Sequence, residues 1–144
     1  MPSLEQVLEN NPETVRIVFK NFPLRNHAFA VKAATAALAA GKMGKFWEFH
    51  DLLFENYNRI NDEKITEIAT TLGLDQEEFS RHLKDPAIAG QIQADFQDGV
   101  AAGVRGTPTL FVNGKLLRDR SPNGFQDAIN KELAKRKSGA KAAE

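Results

Sequence analysis

Three histidines, His27, His50 and His82, are the side chains of this 144-residue chain whose type suits proton transfer or metal ligation near neutral pH. His50 stands beside Asp51, with Glu48 two residues before it, in "KFWEFHDLLF". These residues do not form the i, i+4 ligand pair that puts two metal ligands on one helical face. The expectation is therefore no metal, with His50 on a helix surface or partly buried. There is no cysteine, which removes disulfides, thiolate nucleophiles and cysteine-based metal sites. "AAGVRG" lacks the lysine and the spacing of a phosphate-cradling loop. Nothing orders a Ser/His/Asp set. Lys115, Arg118 and Arg120 in "NGKLLRDRSPNG" read as a solvated turn, and the basic run "KELAKRK" suits the negative end of a helix. What remains is "AAGVRGTPTLFVNGKLL", residues 101–117, where Thr107-Pro108 stands at the head of a strand-like run. Proline has no N–H to give to a ladder, so it is tolerated at the start of a strand.

Composition bounds what that run can serve. The chain is 42% hydrophobic and 26% charged, with a formal net charge of zero, ordinary values for one globular domain. Nucleic-acid binding driven by overall charge is not expected. No run is long and apolar enough to span a bilayer; "AVKAATAALAA" is short and carries Lys32 and meets Lys42. "MPSLEQVLENNPE" has neither the basic nor the apolar region of a signal peptide, so the chain as given reads as cytoplasmic.

Several elements must position the candidates. Leu4, Val7 and Leu8 share a helical face that "NNP" ends. "TVRIVFK", Thr14 to Lys20, reads as a strand, with Val15, Ile17 and Phe19 on one face. "NFPLRNH" is a loop, and "HAFAVKAATAALAAG" an alanine-rich helix with Gly41 as its stop. Phe46, Phe49, Leu53 and Tyr57 then recur at helical spacing, with Trp47 and Phe54 alongside, and the aromatic cluster Phe46, Trp47, Phe49 and Phe54 reads as core. If a covering segment were missing, part of this cluster would be a partner patch. "NDEKITEIATTLGL" is a helix with Asp62 as N-cap and Gly73 as stop; another starts at Asp75 with acidic residues in its first turn, and a third has Asp85 as N-cap and Pro86 at its first position. Asn113-Gly114 signals a two-residue hairpin. A last helix, "SPNGFQDAINKELAKRK", precedes a tail, "SGAKAAE", expected to fray.

This order, with Gly106-Thr107-Pro108-Thr109, "VRIVFKNFPL", "AATAALAAGKMGKFWEFHDLLFEN" and "GVRGTPTLFVNG", resembles the DsbA-like branch of the thioredoxin superfamily over nearly the whole chain. The resemblance implies an α/β thioredoxin-like fold, one domain over residues 1–144, with a helical insertion over approximately 27–103. It implies that Pro108 is cis and that Gly106, Thr107 and Pro108 form a substrate-binding loop facing a redox-active cysteine pair. Such a loop leaves the carbonyl and N–H of Thr107 able to pair with an added peptide strand. His27 lies where the family often has a histidine after the "FPL" loop, as an anchor of that loop.

The departure from the family is as informative. Its first, central strand and Cys-x-x-Cys are expected upstream of Ser3, with Met1 partway along its first helix, so the chain reads as N-terminally truncated. The strands matching Thr14–Lys20 and Thr109–Asn113 would then flank a gap, and unpaired buried amides cost about 1–3 kcal/mol each. Either the two strands close up, or a second chain completes the sheet, or the sequence is a piece of a longer protein. A homodimer is the expected answer. Without cysteine the chain is expected to be redox-inactive, to have no cofactor, and to act through binding of a peptide or protein, or through dimerisation. Two alternatives stay open: a fragment of a complete exported dithiol oxidoreductase, and a glutathione-dependent enzyme of the kappa-like transferase or isomerase group.

Overall fold

The structure is a computed structural model that describes residues 2–24 and 29–143. His27 lies outside the described residues, and so does its expected anchoring role. The chain divides into two compact units, one made of Met1–Val18 with Thr107–Glu144 and the other of Phe19–Gly106.

The unit Phe19–Gly106 is helical and holds the larger core. Helix α2 (Ala30–Lys42) buries Ala36, Ala37, Ala39 and Ala40. That face of methyl groups lets α3 (Phe46–Glu55), α5 (Gln76–Leu83) and α6 (Pro86–Ala101) lie against it. Phe49 and Ile88 are the largest fully buried side chains, with Leu53, Ile65, Ile68, Phe79 and Ile92 around them. Helix α4 (Asp62–Thr71) starts one residue earlier than expected in its capping. Asn61, not Asp62, is the N-cap, its side chain accepting the Lys64 N–H at 2.8 Å; Asp62 instead puts its charge in the first turn, where the helix dipole favours it. Asp75 caps α5 in the same way, accepting the Glu78 N–H, and Asp85 caps α6 by accepting the Ala87 N–H two residues on.

Gly41 does not stop α2. The helix runs to Lys42, and Gly44, at φ +78°, makes the left-handed turn. Its N–H donates to the Gly41 carbonyl and the Lys45 N–H to that of Ala40, the paired bonds of a Schellman ending. Gly41 serves packing instead: a Cβ there would stand 3.3 Å from the Phe46 Cβ.

In the other unit, α1 (Pro2–Asn10) packs on α7 (Pro122–Ala143) through Val7, Phe125 and Ile129. Buried Asn11 donates to the Val7 carbonyl and exchanges hydrogen bonds with the Gln126 amide, at 2.9 and 3.1 Å. Strands β1 (Phe111–Val112) and β2 (Lys115–Leu116) form the hairpin. Asn113 and Gly114 both have positive φ, 47° and 80°, as a primed turn requires. The Ser121 hydroxyl caps α7 by accepting the Gly124 N–H. The expected frayed tail is helical as far as Ala143, as its alanines and lysine favour.

Thr14–Lys20 is not a strand. Among the described residues the sheet is the β1–β2 hairpin alone, and this run pairs neither with it nor with any other segment. The Val15 N–H closes a turn onto the Asn11 carbonyl instead. β-Branched composition marks a run fit for a pleated neighbour, but a ladder exists only where a neighbour is present. The strand expected over Thr109–Asn113 is shortened to Phe111–Val112 for the same reason. Among the described residues the architecture is mostly helical, with the two-stranded hairpin standing where a larger sheet was expected.

Candidate functional site

The Thr107–Pro108 peptide bond is cis. Both residues are exposed, while Gly106 and Thr109 on either side are half-buried. Leu110 and Leu117, which follow the loop and the hairpin, pack against the Val7–Phe125–Ile129 core, and the Leu117 N–H donates to the Leu110 carbonyl at 2.8 Å. The loop is thus anchored on its downstream side by apolar burial. A second anchor is Arg120, whose Nη1 donates to the Pro108 carbonyl at 3.1 Å. Arg120 is therefore not merely part of a solvated turn. Lys115 likewise has a structural partner, Glu132 on α7, at 3.0 Å, and it holds the Glu132 carboxyl below the usual carboxylate range. Thr107 makes no hydrogen bond among the described residues.

A second constellation lies within the helical unit. Phe46, His50 and Phe54 recur at i, i+4 and i+8 on α3 and so share a face. His50 is buried, with 5% of its surface exposed. Its ring lies 4.6 Å from that of Phe54, 5.0 Å from Phe19, 5.4 Å from Trp47 and 5.8 Å from Phe46. The Nδ1 atom is 3.3 Å from the Asp51 carboxylate. A carboxylate only accepts, so Nδ1 carries a proton, and in the neutral ring Nε2 then holds the lone pair. Nε2 is buried with no hydrogen-bond partner among the described residues, whereas nearly all buried polar side-chain atoms have one. Among the described residues no cluster of three histidine, cysteine or acidic side chains could hold a metal ion.

Phe19 reaches this cluster because the segment after it is fastened to α6. Lys20 pairs with Asp98 at 2.7 Å. The Asn21 N–H and side-chain amide both donate to one oxygen of buried Asp95, at 3.0 and 2.9 Å, while Gln91 donates to the other at 2.7 Å. Phe22 stacks on Phe96 at 4.7 Å and covers Gly99, where a Cβ would come within 2.7 Å of its ring.

The expectation that the aromatic cluster is core holds for Phe49. Phe46 is half-buried, and Trp47 and Phe54 are 44% and 56% exposed. The contacts of Phe19 with α3 and the anchoring role of Asp95 were not read from the sequence. One signal for the latter was present: Asp95 interrupts the apolar stripe Ile88, Ile92, Phe96 on the face that turns inward.

Burial pushes the His50 imidazole below its ordinary value near 6.5, against the opposing pull of Asp51. The unfolded chain therefore takes up this proton at a higher pH than the folded one. Between the ordinary value and the lowered one the unfolded state binds more protons, so stability falls as pH falls through that window. Urea unfolding at pH 7.5 and at acid pH is expected to show this loss, and His50→Phe is expected to reduce it. An equal loss in the variant would contradict the neutral, buried assignment.

The family model of the DSBA-like thioredoxin domain matches residues 1–133. The fold is similar to that of a thioredoxin-like oxidoreductase from Silicibacter pomeroyi, with TM-score 0.80 and 27% identity over 93% of this chain and 77% of that one. It is also similar to the thiol-disulfide exchange protein alpha-DsbA2 from Wolbachia pipientis, with TM-score 0.79 and 24% identity over 90% of this chain and 71% of that one. Among curated proteins, the Na(+)/H(+) antiporter NhaA 3 of Salinispora tropica is 41% identical over 71% of this chain and 16% of its own length. The Na(+)/H(+) antiporter NhaA of Herminiimonas arsenicoxydans is 35% identical over 74% of this chain and 17% of its own length. The chain spans about a sixth of the length of these curated relatives.

Proposed function

The chain belongs to the DSBA-like thioredoxin domain family, and on that premise we propose that it holds an extended polypeptide along the Thr107–Pro108 segment without performing thiol–disulfide exchange by itself. The observation that carries the reading is the exposed Thr107–Pro108 segment at the entry to the hairpin. Thr107 has an N–H and a carbonyl to offer an added strand, while Pro108 has no N–H and its carbonyl is engaged by Arg120. Main-chain pairing of this kind gives affinity with little demand on the guest's sequence.

Exchange needs a thiolate, and these 144 residues contain no cysteine. A cysteine pair brought by other polypeptide would meet a substrate held at Thr107. The names of the relatives matched over a sixth of their length describe ion transport. Among the described residues no helix is long and apolar enough to cross a membrane, and transport forms no part of this reading.

The test is calorimetric titration with S-carboxymethylated insulin B chain, an extended peptide that cannot exchange disulfides. Saturable binding is expected. Thr107→Pro removes the donor and is expected to weaken binding about tenfold, the equivalent of about 1.4 kcal/mol, with the melting temperature unchanged. No binding, or undiminished binding by the variant, would refute the role of this segment.

A further inference from the structure

We propose that Arg120 decides which polypeptides the Thr107–Pro108 segment takes: it selects a guest with an acidic side chain, whose carboxylate accepts from the guanidinium donors that Pro108 leaves free. The inference rests on the Thr107–Pro108 reading and adds to it the chemical class of the guest.

The first observation is position. The guanidinium is held at the segment, since Nη1 donates to the Pro108 carbonyl at 3.1 Å. A guanidinium carries five N–H donors in one plane and no acceptor. Arg120 is exposed, and among the described residues its bond to Pro108 is the one hydrogen bond it makes. The other donors are thus left for a guest, one residue along from the N–H and carbonyl that Thr107 offers.

The second observation is charge. From Asn113 to Pro122 the chain carries Lys115, Arg118 and Arg120 against Asp119. Asp119 is occupied: it accepts the Ser121 N–H at 3.0 Å, and the Ser121 hydroxyl and N–H hold its carboxyl below the usual carboxylate range. It also lies over the first turn of α7, where a Cβ on Gly124 would overlap its main-chain oxygen and its carboxyl carbon. Glu132 is shared by Lys115 and Lys135, at 3.0 and 3.5 Å. Neither acid pairs with Arg120, and its charge has no partner among the described residues.

The anion that matches a planar fork is a carboxylate, which can accept two parallel N–H bonds. Pro108 already restrains the Arg120 side chain, so gripping a guest orders it at less cost than a free arginine would incur. Arg118 supplies the contrast: it is exposed on the same turn and has no hydrogen bond to hold it.

The test is calorimetric titration of the intact chain with blocked peptides Ser-Val-Thr-Xaa-Thr-Val-Ser, Xaa being Glu, Gln or Lys. The Glu side chain is then the sole carboxylate in the series. The Glu peptide is expected to bind about fivefold tighter than the Gln peptide, and the Lys peptide more weakly than either. Arg120→Gln should bring the Glu and Gln peptides to equal affinity, a ratio that general loosening of the segment would not move. Arg118→Gln removes a charge from the same turn and should leave most of the Glu preference in place. Thr107→Pro should weaken all three peptides alike, because it acts on the main chain they share. Saturable binding of the Glu and Gln peptides with equal affinity overturns the proposal and leaves the Thr107–Pro108 reading standing. Binding of none of them overturns both. A Glu preference that survives Arg120→Gln, or that Arg118→Gln abolishes as fully, also overturns the proposal, the latter in favour of a diffuse positive field.

Discussion

Phe49→Ala is expected to lower the unfolding free energy by about 3–5 kcal/mol, the range for truncating a buried phenylalanine. Phe49 has no exposed surface and stacks on Phe79 with ring centroids 5.7 Å apart. The cost combines the lost transfer of the ring with the cavity left behind. The cavity term should be near its full size here. The neighbouring face of α2 is built from Ala36, Ala37, Ala39 and Ala40, whose methyl groups have no rotamers with which to fill the space. Phe54→Ala on the same helix supplies the comparison: its ring is 56% exposed, and the change should stay within about 1 kcal/mol. Urea unfolding of the two variants measures the difference. Comparable losses would mean that α3 does not present Phe49 to the core as described.

Asp95→Ala is expected to cost about 3 kcal/mol. The buried carboxylate accepts from the Asn21 N–H, the Asn21 side-chain amide and the Gln91 amide. Each bond to a charged acceptor contributes about 1.5–3 kcal/mol, and donors stranded in a buried position add a desolvation penalty. The bonds share one acceptor and are not additive. Asp95→Asn keeps one acceptor oxygen but turns a donor toward a donor, so it should retain only part of the loss. A second readout follows from the position of Phe19. Its ring meets that of Trp47 edge-on at 6.3 Å, so loosening residues 19–22 should shift Trp47 emission in the folded state. A large stability loss with unchanged emission would show that Asp95 supports α6 alone.

Much of the fold was legible in the residues, and the exceptions share one cause. Helices carry their hydrogen bonds within themselves, so alanine content, the caps Asp75 and Asp85 and the apolar spacing of α3 sufficed to place them. The Asn113-Gly114 hairpin is equally local. Thr14–Lys20 failed as a strand because a strand is defined by a neighbour, which composition alone does not supply. Gly41 and Asp62 missed by a few residues because several small or polar side chains competed to end or cap the helix. The site divides in the same way. Thr107–Pro108 stood out by its chemistry in the chain. The burial of His50 did not, since it depends on Phe19, 31 positions earlier, which reaches α3 through bonds to α6.

The central claim, a DsbA-like fold that binds without exchanging, is tested most directly by reduction of insulin by dithiothreitol, followed as precipitation of the freed B chain. The chain lacks any thiol, so the rate is expected to equal that of dithiothreitol alone at every protein concentration. Acceleration that scales with added protein would contradict the account.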